Sequence, residues 1–109
     1  MEPKMTLDEA KATVATKVAP RVTEDSIKAR IAGVEHIRHE HLTICIITMQ
    51  NDFFVVGISA PASKQNYDRE VGERYAYENA FKQLWQLEGY LLRELIHNGF
   101  ISEAAPSKS

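Results

Sequence analysis

No proline and few β-branched residues interrupt the stretch from Tyr67 to Ile96, so the segment from Asn66 to about His97 predicts a single helix. At 1.5 Å per residue such a helix is about 45 Å long. A rod of that length in a chain of 109 residues obliges every other element to pack against it. The Asn98-Gly99 pair is its natural stop, and Gly72 and Gly89 are its two weak points. Taking 100° per residue, Ala80, Phe81, Leu84, Leu87, Leu91, Leu92 and Leu95 spread over nearly half the circumference, with Tyr77 and Trp85 at one margin. Lys82, Gln86, Arg93 and His97 mark the wetted side. An arc wider than a coiled-coil seam predicts that part of it covers a sheet and part meets another copy of the chain. Phe81, Trp85 and Leu92 are the candidate interface residues of that homo-oligomer.

The remaining chain supplies the sheet. Thr43–Met49 and Phe53–Ala60 are rich in Ile, Val and Phe and are separated by Gln50-Asn51-Asp52, which predicts a β-hairpin. With Asn51-Asp52 as a two-residue loop, Met49 opposes Phe54 and Thr43 opposes Ala60. One face then carries Cys45, Ile47, Met49, Phe54, Val56 and Ile58 beneath the long helix, and the other Ile44, Ile46, Thr48, Phe53, Val55, Gly57 and Ser59. Because a lone hairpin is marginal, the second face calls for cover from a helix, a third strand or another subunit. Val34–Arg38 is the candidate third strand, at an edge.

Upstream, Thr23 reads as the N-cap of a short helix with Glu24 and Asp25 in its first turn, Ile27 and Ile31 facing inward, and Gly33 as its stop. Leu7, Ala10, Val14 and Val18 recur at helical spacing behind a Thr6/Glu9 capping box, and Pro20 ends that thin amphipathic helix. The expected organisation is an N-terminal helix or arm over 1–20, one α+β domain over 21–101 and a disordered tail over 102–109. The fold class is α+β: a short antiparallel sheet packed by one long C-terminal helix and shorter N-terminal helices.

The charges nearly cancel, 13 Lys+Arg against 15 Asp+Glu, which argues against sequence-independent binding to nucleic acid or an anionic membrane. Cys45 is the only cysteine, which rules out an intramolecular disulfide and fits a reducing cytoplasm. No apolar run reaches the length of a membrane span. The search for a nucleophile with its base, a carboxylate pair in apolar surroundings or a glycine-rich phosphate loop finds none, so an enzyme is not expected and no cofactor is implied. His36, His39 and His41 fall within six residues but match no structural zinc spacing, so a solvated turn is the default reading and no metal is expected. At the start of the long helix Lys64, Asn66, Tyr67 and Arg69 gather beside free backbone N–H groups, a candidate ligand site for an anion, although Asp68 and Glu70 already answer the helix dipole.

Several pieces of the chain carry a resemblance. They are Arg21-Val22-Thr23 with Ile27; Thr43-Ile44-Cys45 and Thr48; Asn51, Phe53, Val56-Gly57 and Ser59-Ala60; Asn66-Tyr67-Asp68, Glu70 and Gly72; Ala76 and Asn79-Ala80; and, most specifically, Trp85-Gln86-Leu87-Glu88-Gly89-Tyr90. Together they resemble a family of small tailed-phage proteins of the gp-forty-nine/gp-sixty-six type, whose function is unknown. The resemblance covers roughly Arg21 to Leu92, and the N-terminal helix lies outside it. The family's hairpin turn usually carries Asn-Gly, where this chain has Asn51-Asp52.

What the resemblance implies is a phage or prophage gene product in the cytoplasm of the bacterial host, with no catalytic residues to carry over. Small phage accessory proteins commonly counter host defences. The leading expectation is therefore a non-enzymatic inhibitor that binds a host defence protein through helix surfaces. The alternative is a sponge that holds a nucleotide immune signal between subunits, with Lys64, Tyr67 and Arg69 as contacts. A DNA-binding regulator is the weakest of the three, given the near-neutral charge.

Overall fold

The computed structural model describes residues 19–103, and the expectations placed on residues 1–18 and 104–109 lie outside them. Those residues contain α1 (Glu24–Lys28), β1 (Ile31–His39), β2 (Leu42–Met49), β3 (Phe54–Ser59), a 3-10 turn at Lys64–Asn66 and α2 (Arg69–His97). The three strands form one antiparallel sheet in the order β1-β2-β3. With one long helix and one short one, the architecture is α+β, and it includes the third strand. Packing divides the chain into two units, one of them Val22–Tyr90 and the other containing Leu91 onward.

In the first unit, α1 is nucleated by a reciprocal cap. Thr23 Oγ1 accepts from the Ser26 amide at 3.0 Å and Ser26 Oγ accepts from the Thr23 amide at 2.9 Å. Glu24 and Asp25 occupy the first turn, and Ile27 is wholly buried. The helix ends at Ala29, earlier than expected. Ile31 and Gly33, read as its inward face and its stop, instead open β1, where the register shifts between them. The Arg30 carbonyl takes the Gln50 amide at 2.8 Å, so cross-strand pairing captures the chain before another helical turn can form.

The second hairpin corrects the expected register. Thr48 faces Phe54 and Thr43 faces Ser59, so the loop holds Gln50, Asn51 and Asp52. Asp52 sits at φ 72°, its amide donates to the Met49 carbonyl at 2.9 Å, and the Met49 amide donates to the Phe53 carbonyl at 2.7 Å. This is the three-residue loop that ends on a left-handed residue. Asn51 Oδ1 steadies it by accepting from the Phe53 amide at 3.1 Å. A slip of one residue exchanges the two faces of a strand. Val55 and Gly57 therefore turn inward with Thr43, Cys45, Ile47 and Met49, while Phe54, Val56 and Ile58 turn outward with Ile44, Ile46 and Thr48.

The long helix begins at Arg69, with Asp68 rather than Asn66 as its cap: Asp68 Oδ1 accepts from the Val71 amide at 3.0 Å. Asn66 belongs to the preceding 3-10 turn, which Ser63 caps. Gly72, Ala76, Ala80, Phe81 and Leu84 form the buried stripe of α2. Its small residues let the helix lie close on the sheet, so close that a Cβ built on Gly57 would stand 2.3 Å from both the Ala76 carbonyl oxygen and the Ala80 nitrogen. Arg30 reaches 2.9 Å to Glu88 and ties the α1–β1 junction to the helix.

In the second unit α2 runs to His97 and closes with a Schellman motif. Gly99 adopts φ 82°, its amide donates to the Ile96 carbonyl at 3.1 Å, and the Phe100 amide donates to the Leu95 carbonyl at 2.9 Å. Arg93 pairs with Glu103 at 3.2 Å.

Cys45 is fully buried, and burial pushes its thiol above the ordinary value, with the Glu73 charge adding in the same direction. In the unfolded chain the thiol ionises first, so above about pH 8.5 the unfolded state binds fewer protons than the folded one. Stability should accordingly fall as pH rises through that range. Urea midpoints measured between pH 7 and 10 should show the fall in the native chain, and a Cys45→Val variant should lose that component of it.

Candidate functional site

The sequence places the expected ligand cluster at the start of α2, and the structure disperses it. Tyr67 is half-buried with the Arg38 guanidinium 4.2 Å from its ring centroid, a cation–π contact that occupies that face of the ring. Arg69 pairs with Glu73 at 3.3 Å, and Lys64 is exposed in the 3-10 turn. Only Asn66 of the four lines the adjacent hollow, about 190 Å³, together with Ser59, Pro61, Asp68, Val71 and Tyr75 among others. Asp68 is the sole charged group in that lining, and its carboxylate already serves the helix amides, so the hollow is poorly suited to an anion.

The histidines also separate. His36 lies on the inner side of β1 and donates through Nε2 to the Glu73 carbonyl at 3.2 Å, whereas His39 is exposed at the strand's end. His41 holds a buried Nδ1 with no partner. Among the described residues no group of three or more His, Cys, Asp or Glu side chains is placed to hold a metal ion.

The candidate interface residues divide between core and surface. Phe81 is only 8% exposed and belongs to the core, with Tyr77 5.6 Å away and Trp85 edge-on at 6.4 Å between ring centroids. Trp85 is 42% exposed, and Leu92 is half-buried in the second unit.

Two surfaces stand out that the expected register had concealed. The first is the outer face of the sheet. Rows across it read Ile37-Ile44-Ile58 and Glu35-Ile46-Val56, followed by Gly33-Thr48-Phe54. Phe54 and Ile58 are 59% and 56% exposed. The second is an open groove of about 480 Å³ between β3 and α2, lined by Phe53, Phe54, Val55, Val56, Gln83, Gln86 and Leu87. Gly57 carried the missed signal. A glycine inside a strand commonly marks a place where another backbone closes in. Matched to Gly72, Ala76 and Ala80 at four-residue spacing on the helix, it fixes the inward face of β3.

Between groove and sheet, α2 also guards the free edge of β3. Asn79 Oδ1 accepts from the Ile58 amide at 3.0 Å and Gln83 Nε2 donates to the Val56 carbonyl at 2.7 Å. Thus many of the residues that carry the resemblance have structural duties: Thr23, Asn51 and Asp68 cap, Gly57, Gly72, Ala76 and Ala80 admit close packing, Asn79 holds an edge, and Glu88 anchors Arg30.

The chain belongs to the phage protein family described as N4 Gp49/phage Sf6 gene 66, whose model matches residues 8–96. The match reaches further toward the N-terminus than the residues first suggested, taking in most of the Leu7–Val18 segment. No curated protein and no solved structure gives a significant match. Among the described residues no helix is long and apolar enough to cross a membrane.

Proposed function

We propose that this phage protein acts inside the bacterial host as a non-enzymatic inhibitor of an anti-phage defence, by binding one of the defence proteins. The groove between β3 and α2 carries the reading. It offers Phe53, Phe54, Val56 and Leu87 in an open, uncharged channel with the amide side chains of Gln83 and Gln86 along it. An apolar channel with a few hydrogen-bonding groups suits a partner's protruding side chains or short helix, where a small number of buried anchors supply most of the affinity. A nucleotide sponge draws less support, because the hollow at the start of α2 presents Asp68 where a phosphate would need a cation.

The test is a plating assay in bacteria carrying single defence systems, with and without the protein. Expression should restore plaques by at least about a hundredfold for one system, and Phe53→Asp with Leu87→Asp should abolish the restoration while the circular dichroism stays native. Restoration that survives both substitutions, or none across a broad panel of systems, would defeat the reading.

A further inference from the structure

We propose that the outer face of the β-sheet is the interface of a homodimer, in which two copies stack sheet against sheet with their long helices outside. This face shares Phe54 and Val56 with the groove and extends beyond it over Ile37, Ile44, Ile46 and Ile58. Sequence order and register put Ile37, Ile44, Ile46, Phe54, Val56 and Ile58 on one side of a three-stranded sheet, and no described helix lies over them. The described residues of that face include no Lys or Arg, and Glu35 is its one carboxylate, on the edge strand β1.

That composition favours a second copy over an occasional partner. Surfaces that meet a partner transiently are about as polar as the rest of a protein, whereas homodimer interfaces are richer in apolar area and poor in charge at their centre. The area agrees. The exposed parts of the six apolar side chains sum to roughly 500 Å², at the upper end of patches on monomers. Two copies would bury roughly 1,000 Å² of apolar surface between them, and the polar rim of Glu35, His39 and Thr48 would carry the total into the range of a standard stable interface.

Geometry favours the face over the β3 edge. Neighbouring sheets pack about 10 Å apart by interdigitating side chains of this type. Growth by strand addition at β3 is opposed, because Asn79 and Gln83 already occupy the Ile58 amide and the Val56 carbonyl. In a two-fold arrangement about an axis along the central strand, β1 of one copy lies over β3 of the other. Each Glu35 then reaches the partner's rim rather than the other Glu35.

Sedimentation equilibrium of the full chain tests this over a thousandfold range of concentration. The expected species is twice the 12.3 kDa chain mass at micromolar concentration. Ile37→Lys with Ile58→Lys, both well exposed in one chain and outside the groove, should weaken dimerisation by at least about a hundredfold while the far-ultraviolet circular dichroism stays native. If that pair fails to fold, Ile37→Thr with Ile58→Thr keeps strand-forming side chains and should still weaken the dimer at least tenfold. A native chain that stays monomeric throughout would overturn the proposal and leave residues 1–18 or a foreign protein as the cover. A dimer that persists undiminished in a folded variant would overturn it equally. Because neither Ile37 nor Ile58 lines the groove, a variant that loses dimerisation but keeps its effect on plating separates the failure of one proposal from that of the other.

Discussion

Gly57→Ala should lower the stability of this protein by at least about 3 kcal/mol, and Gly57→Val should prevent folding altogether. The added Cβ would meet the Ala76 carbonyl oxygen and the Ala80 nitrogen at 2.3 Å and the Ala80 Cα at 2.8 Å. All three are helix backbone, so no rotamer change can make room. To relieve the overlap, α2 must lift from the sheet along the line where Ala76, Ala80 and Leu84 meet Cys45, Ile47 and Val55. A loss of that size is a large share of the 5–15 kcal/mol that holds a typical domain together. Urea unfolding followed at 222 nm measures it, and Gly89→Ala is the control. A Cβ at Gly89 has nothing within 4 Å, and alanine in a helix interior gains up to about 1 kcal/mol over glycine. Equal behaviour of the two variants would refute the close approach of helix and sheet.

Phe81→Ala should cost about 3–5 kcal/mol, the usual range for removing a buried phenyl ring. Phe81 is flanked by Tyr77 and Trp85, so its removal opens a cavity and takes away the edge-to-face partner of the only tryptophan. The tryptophan emission should shift to the red, and the urea midpoint should fall at every protein concentration. That last condition decides between core and interface. A loss confined to dilute solution, with a fold that is native when concentrated, would place Phe81 between subunits instead.

The long helix, the hairpin and the edge strand were legible because each rests on a strong local pattern: an unbroken run to Asn98-Gly99, two β-rich runs around a turn, and a short extended segment. The inward face of β3 was not. Apolar residues stand at both parities of that strand, Phe53 and Val55 against Phe54, Val56 and Ile58, so burial alone chooses neither. The choice falls to the turn, where Asp52 takes the left-handed conformation more often seen with glycine or asparagine and lengthens the loop by one residue. The start of α2 was blurred for a related reason. Asn66 and Asp68 are both good caps, and only the 3-10 turn at Lys64–Asn66 separates them. At the candidate site, Tyr67 looked available because its partner, Arg38, is distant in sequence, whereas the Arg69–Glu73 pair stands at the four-residue helical spacing and was legible but unread.

The side-chain bonds of Asn79 and Gln83 to β3 set a limit on how copies of this chain can accumulate. A strand whose outer amides and carbonyls are free can recruit the next chain, and that chain the one after, without an end. Here two links in that succession are already taken by residues one helical turn apart in the same molecule. Crowding therefore favours assemblies of fixed stoichiometry over fibres.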